Sequence, residues 1–143
     1  MKAHIGVDSQ TKLIHTAVVT PANVADATVL PELLHGEETK VWGDQAYRGQ
    51  SEVIREHAPR AEDCTQRRYR YKNHVDELER AKNRTKSQVR SKVEHVFGVM
   101  KLKFGFVKVR YRGLLKNANR VFATCALVNL FMVRNRLLRT VTR

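Results

Sequence analysis

Apolar residues alternate with polar or small ones from Lys2 to Val7, with Ala3, Ile5 and Val7 on one face, and Leu13 to Val19 is rich in β-branched residues. Asp8-Ser9-Gln10-Thr11-Lys12 between them is turn chemistry, so the pattern predicts an opening β-hairpin. Thr20-Pro21 stops the second strand, and Asn23 is placed to cap a short helix with Asp26 at its N3 position and apolar Val24, Val29, Leu30, Leu33 and Leu34. Pro31 is expected to bend or end it. Thr39 to Asp44 reads as a short strand ending in an acid, followed by the Tyr47-Arg48-Gly49 loop and a helix around Ser51 to His57.

Pro59 to Asn73 is polar and basic, an edge strand plus loop, with Arg67, Arg68, Arg70 and Lys72 interleaved by Tyr69 and Tyr71. From His74 to Lys103 there is no proline and one glycine, Gly98, which predicts a long helix or a broken pair. Phe104 to Tyr111 fits a short strand or an extended loop. Asn117 is placed to cap a last helix reaching about Leu138, oily almost all round and therefore expected in the core. The whole is an α/β pattern on one domain's worth of chain, 143 residues.

Charge changes this picture. Residues 1–60 hold 6 Lys+Arg and 8 Asp+Glu, whereas residues 61–143, expected to be mainly helical, hold 21 and 6, and the net charge is +13. Beyond Arg80 a single acid, Glu94, stands among 17 Lys+Arg, counting Arg80 itself. Such a field favours a polyanion, and nucleic acid is the usual one because neutralised phosphates release counterions. The two cysteines, Cys64 and Cys125, are too few for a disulfide scaffold or a zinc cluster and read as ordinary thiols in a reducing compartment. The longest oily stretch, Val121 to Val133, falls short of the ~18 residues of a membrane span. The expectation is a cytoplasmic, nucleoid-associated protein with no membrane partner.

At 100° per residue Ser87, Arg90, Glu94 and Lys101 share a stripe about 60° wide, beside an apolar face of Val89, Val93, Val96, Phe97 and Met100. Glu94 at the border of a buried stripe is either one half of an i,i+4 pair with Arg90 or a functional carboxylate. Asp44, at a strand end after Trp42-Gly43, is either a turn residue or an acid projecting into a crevice. Together the two carboxylates suit a hard cation, Mg²⁺ or Mn²⁺, and a third acid would be needed to fix a metal pair. Asp8 reads as a hairpin-turn residue.

These residues resemble the bacterial insertion-sequence transposases of the DDE class, in the branch whose signature is Y, two residues, R, three residues, E, six residues, K. Arg90, Glu94 and Lys101 match three of the four positions at that spacing, and Ser87 stands where the family has tyrosine. Met1 to Asp8, the Asn23 to Asp26 segment, Gly43 to Gly49 and Phe104 to Gly113 are also similar to that family's catalytic domain. The resemblance implies a ribonuclease-H-like mixed sheet flanked by helices, with Asp44 and Glu94 as the second and third catalytic acids and metal ligands. It also implies that Arg90 and Lys101 contact transposon-end DNA. Arg67, Arg68 and Arg70 form either a DNA-contact loop or a merely solvated one.

The family's first catalytic Asp stands on a strand before the hairpin that opens this chain. The resemblance therefore implies a partial catalytic domain over 1–143 lacking its first strand, inactive by itself unless another reading frame or a second copy supplies the missing part. An exposed, aggregation-prone edge is expected on the hairpin. The alternative is a noncatalytic basic nucleic-acid-binding protein, in which Asp44 and Glu94 have no role, or a decayed gene product.

Overall fold

The computed structural model describes residues 1–72 and 74–141, and the chain divides into two compact units. Asn73, the last residue of the basic segment, lies outside the described residues, as does the side chain of Tyr71. The first unit comprises residues 1–23 and 93–143, and the second residues 24–92.

In the first unit, strands β1 (Lys2–Val7) and β2 (Ile14–Thr20) form the antiparallel hairpin that the alternation predicts. The Asp8 carboxylate accepts hydrogen bonds from the Thr11 and Gln10 N–H groups and the Thr11 hydroxyl, and these hold its pKa below the usual carboxylate value. Asp8 is thus a turn residue. Pairing shifts between Gly6 and Val7, where Thr16 and Ile14 are the partners and His15 is the extra residue. That bulge returns Ile14 to the face of Ala17 and Val19, which with Ala3, Ile5 and Val7 packs on the core. A Cβ at Gly6 would lie 2.5 Å from the His15 ring, so a larger residue there would require that exposed ring to turn aside. Among the described residues β1 and β2 pair only with each other.

Helix α3 (Glu77–Phe104) and helix α4 (Leu114–Val141) are the long elements. The part of α3 in the first unit buries Val96, Val99 and Met100 against Ile14 and against Val121, Cys125 and Val128 of α4. Val96 and Met100 belong to the expected apolar face, and Val99, outside it, is buried as well. Gly105, at φ 59°, ends α3, and the Phe106 N–H donates to the Met100 carbonyl, satisfying one of the last-turn acceptors. Residues 105–113 form a loop, not a strand. The Arg120 guanidinium donates to the Lys108 and Gly105 carbonyls and lies 5.0 Å over the Phe106 ring.

Two expectations for α4 need correction. It begins at Leu114, not at Asn117, whose amide lies inside the first turn and bonds the Tyr111 N–H, the Tyr111 carbonyl and the Gly113 carbonyl. Asn117 therefore ties down the preceding loop instead of capping the helix. Nor is α4 a core helix all round: Leu115, Leu130 and Leu138 are 75%, 56% and 64% exposed. The hairpin and α3 cover only one face of it. As folded, Leu114–Thr140 is long and apolar enough to cross a membrane by length and composition, which the count over Val121 to Val133 missed. The covered face packs on β2, and the Asn129 amide bonds both the N–H and the carbonyl of Ile14.

In the second unit, a 3-10 turn (Asp26–Val29) runs into the single α-turn α1 (Leu30–Leu33). Asn23 does not cap it; Ala25 holds that position, with no side-chain cap bond, and the Thr28 hydroxyl ties the turn to the Ala25 carbonyl. Asp26 is accordingly the first residue of the turn, not an N3 acid. Pro31 stands in the first turn of α1 instead of ending the helix, since its missing N–H costs nothing there. Helix α2 (Ser51–His57) matches the expected bounds and packs Ile54 with Leu30 and Val41.

Strand β3 (Lys40–Val41) pairs in parallel with β4 (Glu62–Asp63). The ladder runs further in hydrogen bonds: Glu62, Cys64 and Gln66 N–H groups donate to the Thr39, Val41 and Gly43 carbonyls, each at 2.9 Å. The basic segment therefore begins as a strand paired inside the unit. It continues into an antiparallel pair, β5 (Arg70–Tyr71) with β6 (His74–Val75), so the long helix begins at Glu77, after the His74 that was expected to start it. The described strands thus form three two-stranded sheets in a mixed α/β chain.

Burial pushes both thiols up, Cys125 to about 11. Neither is expected to react with a thiol reagent at pH 7 until the chain unfolds. Rapid native-state labelling of Cys125 in a colorimetric thiol assay would contradict this packing.

Candidate functional site

The parallel ladder delivers two segments to one place. Gly43 and Gln66 are its last bonded pair, so Asp44 and Arg67 both leave its carboxyl end, where open α/β sheets usually carry their chemistry. A side chain at Gly43 would press on Tyr47, whose Cβ and ring lie 3.0 to 3.2 Å from where a Cβ would stand. Asp44 is not a strand residue: its Oδ1 accepts the Ala46 N–H at 2.8 Å and caps the 3-10 turn Gln45–Tyr47. Its Oδ2 lies 3.9 Å from Nη2 of Arg90, on the part of α3 belonging to the same unit. Both side chains are about two-fifths exposed, so the ion pair itself adds little stability. Burial, then the Asp26 and Asp44 carboxylates, push the Tyr47 phenol up.

The start of α3 fixes the other segment. Asn83 Oδ1 accepts the Arg67 N–H at 3.3 Å, and Asn83 Nδ2 donates to the Arg67 carbonyl at 2.6 Å. Gln66 Nε2 donates to the Ser87 hydroxyl at 2.7 Å, and Lys86 Nζ to the Thr65 carbonyl at 2.9 Å. Ser87 thus has a structural partner. Buried Thr65 and Gln66 anchor the strand, and Arg67, Arg68 and Arg70 emerge exposed beyond it. An open groove of about 430 Å³ follows, lined by Gln45, Arg68, Tyr69, Arg70 and Lys72.

The structure therefore brings Asp44 together with Arg90 and sets Gln45, the next residue, beside Arg68 and Arg70. Glu94 and Lys101, both exposed, stand on the part of α3 that belongs to the first unit. Sequence reasoning missed Tyr47, Gln45, Asn83 and the role of Ser87. Asn83 was within reach, because it falls on the same 100° wheel stripe as Ser87 and Arg90. Gln45 and Tyr47 gave no periodic signal, being in a 3-10 turn. Among the described residues, no three His, Cys, Asp or Glu side chains converge on a point that could hold a metal ion.

No solved structure matches the chain. The family model described as Transposase DDE domain matches residues 1–130. With nine-tenths of its length inside that match, the chain belongs to the DDE transposase domain family.

Proposed function

We propose that Asp44 and Glu94 are two of the carboxylates of a transposase centre that hydrolyses and transfers DNA strands at transposon ends, within a ribonuclease-H-like arrangement. The observation that carries the reading is the position of Asp44: at the carboxyl end of a parallel ladder, against Arg90, with an exposed basic segment leaving the same ladder end. Carboxylate oxygens suit Mg²⁺ or Mn²⁺, which when bound would polarise the phosphodiester and stabilise the leaving 3′ oxygen. Asp44 and Glu94 would hold the ion. Arg90, 3.9 Å from Asp44, neutralises that carboxylate and is placed to meet a phosphate, and Lys101 adds a further cation along α3.

Two carboxylates are too few to fix a metal pair, so residues 1–143 alone are expected to bind DNA without cutting it. A further carboxylate would come from another transposase segment or a second copy. The basic segment Arg67, Arg68 and Arg70 is the DNA contact in this reading.

The test is duplex affinity at constant ionic strength with Mn²⁺ and with EDTA. Mn²⁺ is expected to tighten binding by the wild-type chain severalfold, by bridging carboxylate and phosphate, and Asp44→Asn and Glu94→Gln should each abolish that response. Equal metal responses in all three proteins would sink the assignment and favour a noncatalytic nucleic-acid-binding protein. For that second reading the specific observation is that Asp44 already has a structural task, capping the Gln45–Tyr47 turn. Nicking of supercoiled DNA by the wild-type chain above the Glu94→Gln control would overturn the expected inactivity.

A further inference from the structure

We infer that the groove beside Asp44 seats an unpaired nucleotide of the DNA strand, stacked on Tyr69; this rests on the reading of Asp44 as an acid of a DNA-processing centre. The lining carries three cations, Arg68, Arg70 and Lys72, one amide, Gln45, one aromatic ring, Tyr69, and no acid. Each part has a match in a nucleotide, and the ring has none on a duplex surface. The cations meet phosphate, the amide offers both a donor and an acceptor to a base edge, and the ring offers a stacking face that a paired, stacked base cannot use. A duplex could be held by the cations alone.

Size agrees. About 430 Å³ lies within the usual range of small-molecule sites, roughly 300–1,000 Å³, and is far too small to admit a double helix. The platform is also fixed in part before any strand arrives. Tyr69 is half-buried between exposed Arg68 and Arg70, Arg68 Nε donates to the Arg70 carbonyl at 2.9 Å, and Arg70 pairs with Val75 across the β5–β6 hairpin. A preformed ring loses less on binding than a free one. Because Gln45 follows Asp44 directly, the seated nucleotide would neighbour the carboxylate that handles the phosphodiester.

The experiment is fluorescence anisotropy of the purified chain in EDTA, with a labelled oligothymidylate of about 15 nucleotides and a duplex of the same length. Tyr69→Leu, which keeps apolar bulk but not the ring, should weaken single-strand binding about tenfold and leave duplex binding within about twofold. Tyr69→Phe should bind both like wild type. Arg70→Gln should weaken both and lower the salt slope by about one. A Tyr69→Leu loss that is equal for both DNAs, or absent, overturns the inference, as does failure of the wild-type chain to bind the single strand. If Tyr69→Leu does not fold, Tyr69→Trp decides: tighter single-strand binding is expected, and an unchanged affinity refutes the stack. Because EDTA removes divalent ions, this result does not depend on the metal response of Asp44 and Glu94, so either reading can fail alone.

Discussion

Raising the salt from about 50 to 200 mM is expected to weaken duplex binding by roughly 500-fold, the drop that follows when about five phosphates are neutralised at 0.9 ion each. The count takes the cations gathered around the proposed site rather than the net charge of +13. Arg120 is spent on the Lys108 and Gly105 carbonyls, Arg134 lies 3.9 Å over the Phe131 ring, and Lys86 serves the Thr65 carbonyl and Glu79. Arg67, Arg68, Arg70 and Lys72 are exposed in one stretch, and part-exposed Arg90 shares that unit. Anisotropy titrations at four salt concentrations give the slope directly. A fall below about tenfold would mean fewer than two phosphate contacts, and the basic segment would then be only a solvated face.

The largest stability effect is expected at Met100. Its side chain is fully buried among Ile14, Val96, Val121, Cys125 and Val128, the junction of α3, α4 and the hairpin. Met100→Ala removes buried methylenes and leaves a cavity where three elements meet, costing about 2–5 kcal/mol. Domain stabilities of about 5–15 kcal/mol make that a large share. Two residues on, Leu102 is 84% exposed, and Leu102→Ala should stay within about 0.5 kcal/mol. Urea midpoints of the two variants, measured side by side, check the contrast. Similar midpoints would mean that α3 presents a different face to this core.

Much of this core was legible in the sequence because its signals are periodic. The alternation of Ala3, Ile5 and Val7 gave the hairpin face, and the 100° stripe of Val96 and Met100 gave the buried side of α3. What could not be read was set by tertiary partners. Asn117 looks like a cap by residue type, yet its amide is taken by the loop at Tyr111 and Gly113, and the helix starts three residues earlier. Asn23 likewise lost its capping place when the turn began at Asp26. In α4 the run of apolar residues hid the fact that only one face has neighbours. For the site, Asp44 could be placed after a short strand, but its cap on Ala46 and its approach to Arg90 depend on a parallel ladder between segments about twenty residues apart, which no local pattern encodes.

The bond pair from Asn129 to Ile14 also bears on how further chain could join this sheet. A strand edge offers N–H and carbonyl together at every second residue, and an incoming strand needs that whole row. At Ile14 a side-chain amide from α4 already fills the first rung of β2, acting as a one-residue strand. Any segment that extends the sheet alongside β2 from Ile14 onward must displace it. The first rung of β2 is thereby closed to the edge-to-edge stacking of one hairpin on another.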